Sequence, residues 1–405
     1  MTRDEKIIKV HELYSPSAPI KSDNIFKGRK EQLKKVDEAV VEKGQHMVIF
    51  GERGVGKTSL ANIIEMRYIR AITAKITCNH ESTLDGLWKY IFKRIPIGYQ
   101  YQQKIGFQSN DNQNETSKNL ITISDLIDQK KQLNIDDITA YLELLAKVDE
   151  NFLLIFDEFD QISDKTIINS FANTIKFLSD NIQNVTILIV GIGSSIIDLI
   201  GEHQSIERCL RQIFLGIMTD AELSEIVSSA TRSLGMTIKE KPMKKIVEYS
   251  SGFPHYTHLL GKYSTLEAIE KNDNIINASH FNKAMEDAIE NVNESIKNLY
   301  KKAILSTKEG TLFKDVLIAC AMVKADEHST FRATDVENYL KEKMGYDKSV
   351  QAFQYHLGKF CSSERGSVLK KIVVAKSRTR YRFENPLFKA FVRLKYHNEH
   401  PISDN

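Results

Sequence analysis

Gly51-Glu52-Arg53-Gly54-Val55-Gly56-Lys57-Thr58 is the stretch on which the fold turns. It fits G-x-x-x-x-G-K-[ST] at every fixed position. Just upstream, His46–Phe50 is a short apolar run with the pattern of a buried strand. Just downstream, Ser59–Ile72 reads as a helix. The glycines therefore fall on a strand-to-helix turn, the context in which this pattern has a mechanical meaning. Glycines let backbone N–H groups converge on phosphate oxygens, and the helix N-terminus adds positive potential. Gly51, Glu52, Arg53, Gly54, Val55, Gly56 and Ser59 are thus expected to cradle a nucleotide. Lys57 should reach the β- and γ-phosphates and the Thr58 hydroxyl should ligate Mg²⁺.

Outward from this loop, strand and helix alternate. Lys30–Lys43 is amphipathic, with Leu33, Val36, Ala39 and Val40 on one face. Ala74–Cys78 reads as a strand, Thr83–Arg94 and Asp136–Val148 as helices, Phe152–Phe156 as an apolar strand, Thr166–Ser179 as a helix, and Val185–Val190 and Ile213–Leu215 as further strands. That alternation points to an α/β fold with a parallel sheet. The stretch Gly98–Asn119 is polar, lacks periodicity and reads as a surface insertion.

About a hundred residues beyond the loop, Phe152-Leu153-Leu154-Ile155-Phe156 runs into Asp157-Glu158. An apolar strand that ends in two carboxylates is the expected partner of a phosphate loop. Asp157 would hold Mg²⁺ and Glu158 would act as general base on the attacking water.

The Asp-Glu pair, the segment Phe26-Lys27-Gly28-Arg29-x-Glu31-x-x-Leu33 and the later helical block together resemble an AAA+ ATPase. Within that class the chain is similar to the initiator-type, origin-recognition-like branch and to the related signalling and transposition-regulator ATPases. The resemblance implies ATP and Mg²⁺ as ligands and ATP hydrolysis as the activity. It places Gly28 and Arg29 beside the adenine pocket. It puts a polar sensor of the γ-phosphate at Ser194 or Ser195, although a helix cap is an equally good use of Ser194. It puts an arginine that reaches a neighbouring subunit's γ-phosphate at Arg208, with Arg211 second, and a surface ion pair as the alternative. In Ser251-Gly252-Phe253-Pro254-His255 the sequence departs from initiators, which carry a second-sensor arginine here. Its Gly-x-Pro arrangement resembles the signalling relatives, whose proline packs near the base. Pro254 and His255 are therefore candidates for the nucleotide site.

Charge is unevenly spread. The chain has 405 residues and a net charge of +3, yet residues 291–405 hold 21 Lys and Arg against 13 Asp and Glu. Arg365–Lys395 carries ten basic residues and one acidic residue, Glu384. A basic module on a mildly acidic body suggests an anionic partner. Thr311–Met322, a segment beginning at Phe331, and Lys348–Cys361 read as three helices. Val368–Ala375 and Thr379–Phe383 read as a hairpin, so the module resembles a winged helix. DNA would then meet Lys348, Gln351 and Lys359 on the third helix and Lys376, Arg378 and Arg380 on the wing. The alternative is a docking surface for a partner protein.

The expected layout is a lead-in at 1–25, an AAA+ P-loop core at 26–218, an all-α lid at 219–304 and a winged-helix domain at 305–398. Four scattered cysteines without a CxxC pair argue against a zinc ribbon. The N-terminus has no apolar leader core, and no apolar run approaches the ~20 residues of a membrane span. The expectation is a cytoplasmic ATP-driven switch that binds DNA, with a homo-oligomer or a protein partner as further associations.

Overall fold

The computed structural model of the chain describes residues 1–68, 71–96, 98–101, 119–193, 204–292, 294–305, 312–326, 328–346, 349–374 and 378–400. It divides into two compact units. One comprises Lys30–Gly51 and Lys57–Leu215; the other comprises Met1–Arg29, Glu52–Gly56 and Gly216–Asn405.

The first unit is built on a parallel sheet. Its strands are β1 (His46–Gly51), β2 (Ala71–Thr77), β5 (Asn151–Asp157), β6 (Val185–Ile192) and β7 (Leu210–Phe214), in the order β2-β5-β6-β1-β7. Every residue of β1 is buried, as is every residue of β5 after Asn151. Strands covered on both faces must be apolar throughout, which is why these runs read as continuous rather than alternating. Trp88, from the helix Leu84–Lys93, stacks on Phe171 at 5.6 Å and lies edge-on to Phe156 at 5.5 Å, closing one face of the sheet. Each such fully buried side chain contributes ~1.5–3 kcal/mol through burial.

Two sequence expectations are adjusted. The helix after the phosphate loop ends at Arg67 and β2 begins at Ala71, because Ile72, Thr73, Ile76 and Thr77 are β-branched and favour a pleated surface. The polar insertion is bounded by a short antiparallel hairpin, β3 (Gly98–Tyr101) with β4 (Asn119–Thr122). The remainder of that insertion lies outside the described residues.

In the second unit, the lead-in is an ordered helix, Arg3–Leu13, with a Thr2/Glu5 capping box. Val10 and Tyr14 pack with Ala230, Leu234, Ala268 and Ile269. Those partners lie in the helix Asp220–Ser233, at its C-cap Leu234 and in the helix Pro254–Glu270, which stand with Glu240–Ser250 and Ala278–Glu290. A two-residue parallel pair, β8 (Thr237–Ile238) and β9 (Ile275–Ile276), links their loops. The rest of the unit has its own apolar cluster around Phe331, Phe353, Phe360 and Phe388. Its elements run Glu294–Ile304, Phe313–Met322, Ala333–Met344, Val350–Phe360, then β10 (Leu369–Val374) antiparallel to β11 (Arg378–Phe383), then the helix Pro386–Glu399. Phe331 pairs with Tyr381 through two backbone hydrogen bonds of 2.9 and 2.8 Å, which fastens the hairpin to the start of the helix Ala333–Met344. That helix is started by Asp335, which accepts the Arg332 N–H at 2.7 Å. No helix among the described residues is long and apolar enough to cross a membrane.

Candidate nucleotide site

The phosphate-loop sequence follows β1 and opens the helix Lys57–Arg67, as its pattern requires. Gly54 and Gly56 take φ values of +86° and +98°, which L-residues with a Cβ adopt only under strain. The two ends of the loop belong to the sheet unit, and its tip, Glu52–Gly56, belongs to the other.

In the sheet unit the expected residues converge. Lys57 is 9% exposed, and its ammonium donates to the Gly51 carbonyl at 3.0 Å. The Thr58 hydroxyl stands 3.4 Å from Asp157 Oδ1 at the end of β5. A hydroxyl and a carboxylate facing each other at the mouth of a phosphate loop supply two hard oxygen donors, and Mg²⁺ usually takes few protein ligands beside phosphate and water. The residues therefore fit the ion. Asp157 is 1% exposed and also accepts the Glu158 N–H at 3.0 Å. Glu158 is exposed and holds a left-handed backbone, φ 54°. Asp160 accepts the Ile192 N–H at 2.7 Å and so ties the end of β5 to the end of β6.

Sequence reasoning missed one member. Lys75 of β2 forms an ion pair with Asp157 Oδ2 at 3.1 Å and donates to Asn62 Oδ1. The register explains it. Thr77 lies opposite Asp157 in the parallel pair, and Lys75, two residues earlier, shares its face. The available signal was a single lysine inside an otherwise uncharged strand.

Arg208 is placed elsewhere. It sits in the 3₁₀ segment Gln204–Cys209, pairs with Asp180 at 2.9 Å and has a side chain that is 74% exposed. Arg211 pairs with Glu42 at 2.8 Å and Glu38 at 3.8 Å. Ser194 and Ser195 lie outside the described residues.

In the other unit, Arg29 is 4% exposed, and its guanidinium donates to the carbonyls of Val55 (2.9 Å) and Gly216 (2.8 Å). Its backbone N–H, beside Gly28, donates to Glu222 at 2.7 Å. Burial pulls the Arg29 pKa down to about 10, against the opposing pull of Glu222. Arg29 is thus a brace on the loop tip. A Cβ on Gly54 would meet Phe253 at 3.6 Å and one on Gly56 would meet Pro254 at 3.9 Å, so the Phe253-Pro254 turn lies against the same tip. His255 Nδ1 is hydrogen-bonded to the Pro16 carbonyl. A carbonyl only accepts, so Nδ1 carries the proton and Nε2 is left as an acceptor. Burial lowers the His255 pKa and keeps the ring neutral. The donor needed for a phosphate is therefore committed to Pro16.

A family model described as Novel STAND NTPase 1 matches residues 20–359. The chain belongs to this family. As a STAND-type NTPase it shares its fold with the Walker-type ATPase of Pyrococcus abyssi, with a TM-score of 0.51, 17% identity, and coverage of 94% of this chain and 99% of that one. The Cdc6p protein of Pyrobaculum aerophilum is also similar, at a TM-score of 0.49 and 14% identity over 96% and 98% of the two chains. The α/β P-loop core with a parallel sheet that the sequence leads one to expect is the core observed. A curated leucyl/phenylalanyl-tRNA–protein transferase of Saccharophagus degradans is 40% identical over 63 residues, 15% of this chain. The chain spans about a quarter (26%) of that relative's length.

The expected DNA-contact residues fare unevenly. Gln351 is exposed, and its neighbours Gln354 and Tyr355 share the outer surface of the helix Val350–Phe360. Lys359 pairs with Glu364 and lies 5.6 Å over the Tyr355 ring. In the hairpin, Lys370↔Arg382 and Ile372↔Arg380 are cross-strand partners, so Arg380 and Arg382 occupy one face. Arg380 pairs with Asp326 at 2.8 Å and Arg382 with Glu52 at 2.7 Å. Lys348, Lys376 and the side chain of Arg378 lie outside the described residues.

Proposed function

We propose that this STAND-type NTPase is an ATP-binding and ATP-hydrolysing switch whose nucleotide state is coupled to DNA binding by a winged-helix C-terminal module. The observation that carries the nucleotide half is the approach of Thr58 to Asp157 beside the loop lysine. In this reading Lys57 neutralises the β- and γ-phosphates, and Thr58 and Asp157 hold Mg²⁺, which when bound screens the charge on the transferring phosphoryl group. Glu158 takes the proton of the attacking water as that oxygen bonds to phosphorus and the ADP oxygen leaves. Arg208, exposed and held by a surface pair, is free to serve a neighbouring copy's site.

The DNA half rests on the exposed Gln351, Gln354 and Tyr355 and on the basic hairpin. Pairing of Arg380 and Arg382 with acids of the same unit favours a second reading, in which the module docks a partner protein. The test is ATP turnover by purified protein with and without duplex DNA, beside Lys57→Ala and Glu158→Gln. Turnover lost in both variants and stimulated by DNA supports the switch. Turnover indifferent to DNA sinks the coupling and leaves the docking reading.

A further inference from the structure

Glu52 is an unusual residue for its place. It is the first variable position of a loop whose task is to accept phosphates, and both its carboxylate oxygens are sealed from solvent. An uncompensated buried carboxylate there would oppose an incoming polyphosphate, because Coulomb repulsion is weakly screened away from water. The charge is met from the C-terminal module. Arg382 Nη1 on β11 lies 2.7 Å from Glu52 Oε1. Lys389, on the helix Pro386–Glu399, is 6% exposed, and burial pulls its pKa down to about 7 against the opposing pull of Glu52, so Arg382 carries the dependable positive charge. Arg393, one turn further along, is spent on the carbonyls of Ala321, Glu248, Met322 and Val323, so it holds the helix rather than the loop.

We infer that Arg382 is a positioning residue of the nucleotide site: it neutralises and holds Glu52 so that the loop tip can receive phosphate. The C-terminal hairpin is then a working part of the site rather than a detached arm. Lifting the hairpin would uncover a negative charge inside the loop and weaken nucleotide binding, and the weakening would grow with the number of phosphates. This inference rests on the nucleotide-binding reading above.

The experiment measures affinity for mant-ATP, mant-ADP and mant-AMP with Mg²⁺, using the full chain. Wild type should bind and Lys57→Ala should not; a wild type that binds none of the three probes overturns the nucleotide reading itself. Given binding, Arg382→Met should weaken mant-ATP by about tenfold, roughly 1.4 kcal/mol. Mant-ADP should lose less and mant-AMP least. The double variant Glu52→Gln/Arg382→Met should recover to within about threefold of wild type, as coupled charges do in a mutant cycle. Equal losses for all three probes, or no recovery in the double variant, would mean that the ion pair only supports the fold and would overturn the inference. Where Arg382→Met is too unstable to assay, Arg382→Lys supplies the same graded readout at smaller amplitude.

Discussion

Two carboxylates shielded from solvent, one in each unit, are neutralised in different ways. Asp157, at the end of β5, is paired with Lys75 on the adjacent strand, and the partner is fixed by sheet register. Glu52, at the loop tip, is paired with Arg382 from near the far end of the sequence, and the partner is fixed by the folding of the C-terminal module. In the proposed reading Asp157 exchanges its cation for Mg²⁺, and that cation is supplied locally. A carboxylate that has no metal to receive is served by a distant element, which ties that element to the state of the loop.

The comparison is tested most strongly at Lys75. Lys75→Met leaves Asp157 buried without its cation, and breaking a buried pair costs about 3–5 kcal/mol. The metal-free protein should melt well below wild type, and Mg²⁺ with nucleotide should recover much of the loss by standing in for the ammonium. A melting temperature that is unchanged without Mg²⁺ would break the parallel between the two sites.

Arg29 gives the next effect. Arg29→Met removes two donors from the Val55 and Gly216 carbonyls, and hydrogen bonds from a charged group are each worth about 1.5–3 kcal/mol. The expected result is a fall in denaturant midpoint with an unchanged slope, together with weaker nucleotide binding because the loop tip loses its brace.

Acid sensitivity comes from histidines in both units. Burial holds His46, His258 and His397 at pKa values of about 4, below the ordinary 6.5. The unfolded chain therefore binds more protons than the folded one between these values. Stability is intact above pH ~6.5 and is lost as pH falls toward ~4, by up to roughly 1.4 kcal/mol per unit for each ring. Urea midpoints across that range should fall steadily, and His258→Asn should shallow the slope. A flat profile would show that the rings are not held neutral.

The smallest effect on stability is expected at Arg208. Its pair with Asp180 is exposed, so Arg208→Ala should leave the melting temperature unchanged. Turnover per molecule should fall only at protein concentrations where copies associate. An equal loss at all concentrations would place Arg208 in its own site.

The phosphate loop, the apolar strands and Asp157-Glu158 were legible because each is a local pattern. Spacing fixes which backbone amides converge, and a strand covered on both faces must be apolar. The three helices and hairpin of the C-terminal module were legible for the same reason. Lys75 was hidden because a lysine in a strand says nothing of its neighbour until the register is set. The bonds of Arg29 to Val55 and Gly216 were hidden because they need the loop tip folded back. The bond from His255 to the Pro16 carbonyl, in the N-terminal segment, was not legible, because the two residues are brought together only by the fold. The sequence by itself determined a strand-loop-helix that holds phosphate and a pair of carboxylates beside it. The tertiary structure alone decided which cation meets each buried acid, because charge compensation acts through space and its partners come from segments that are far apart along the chain.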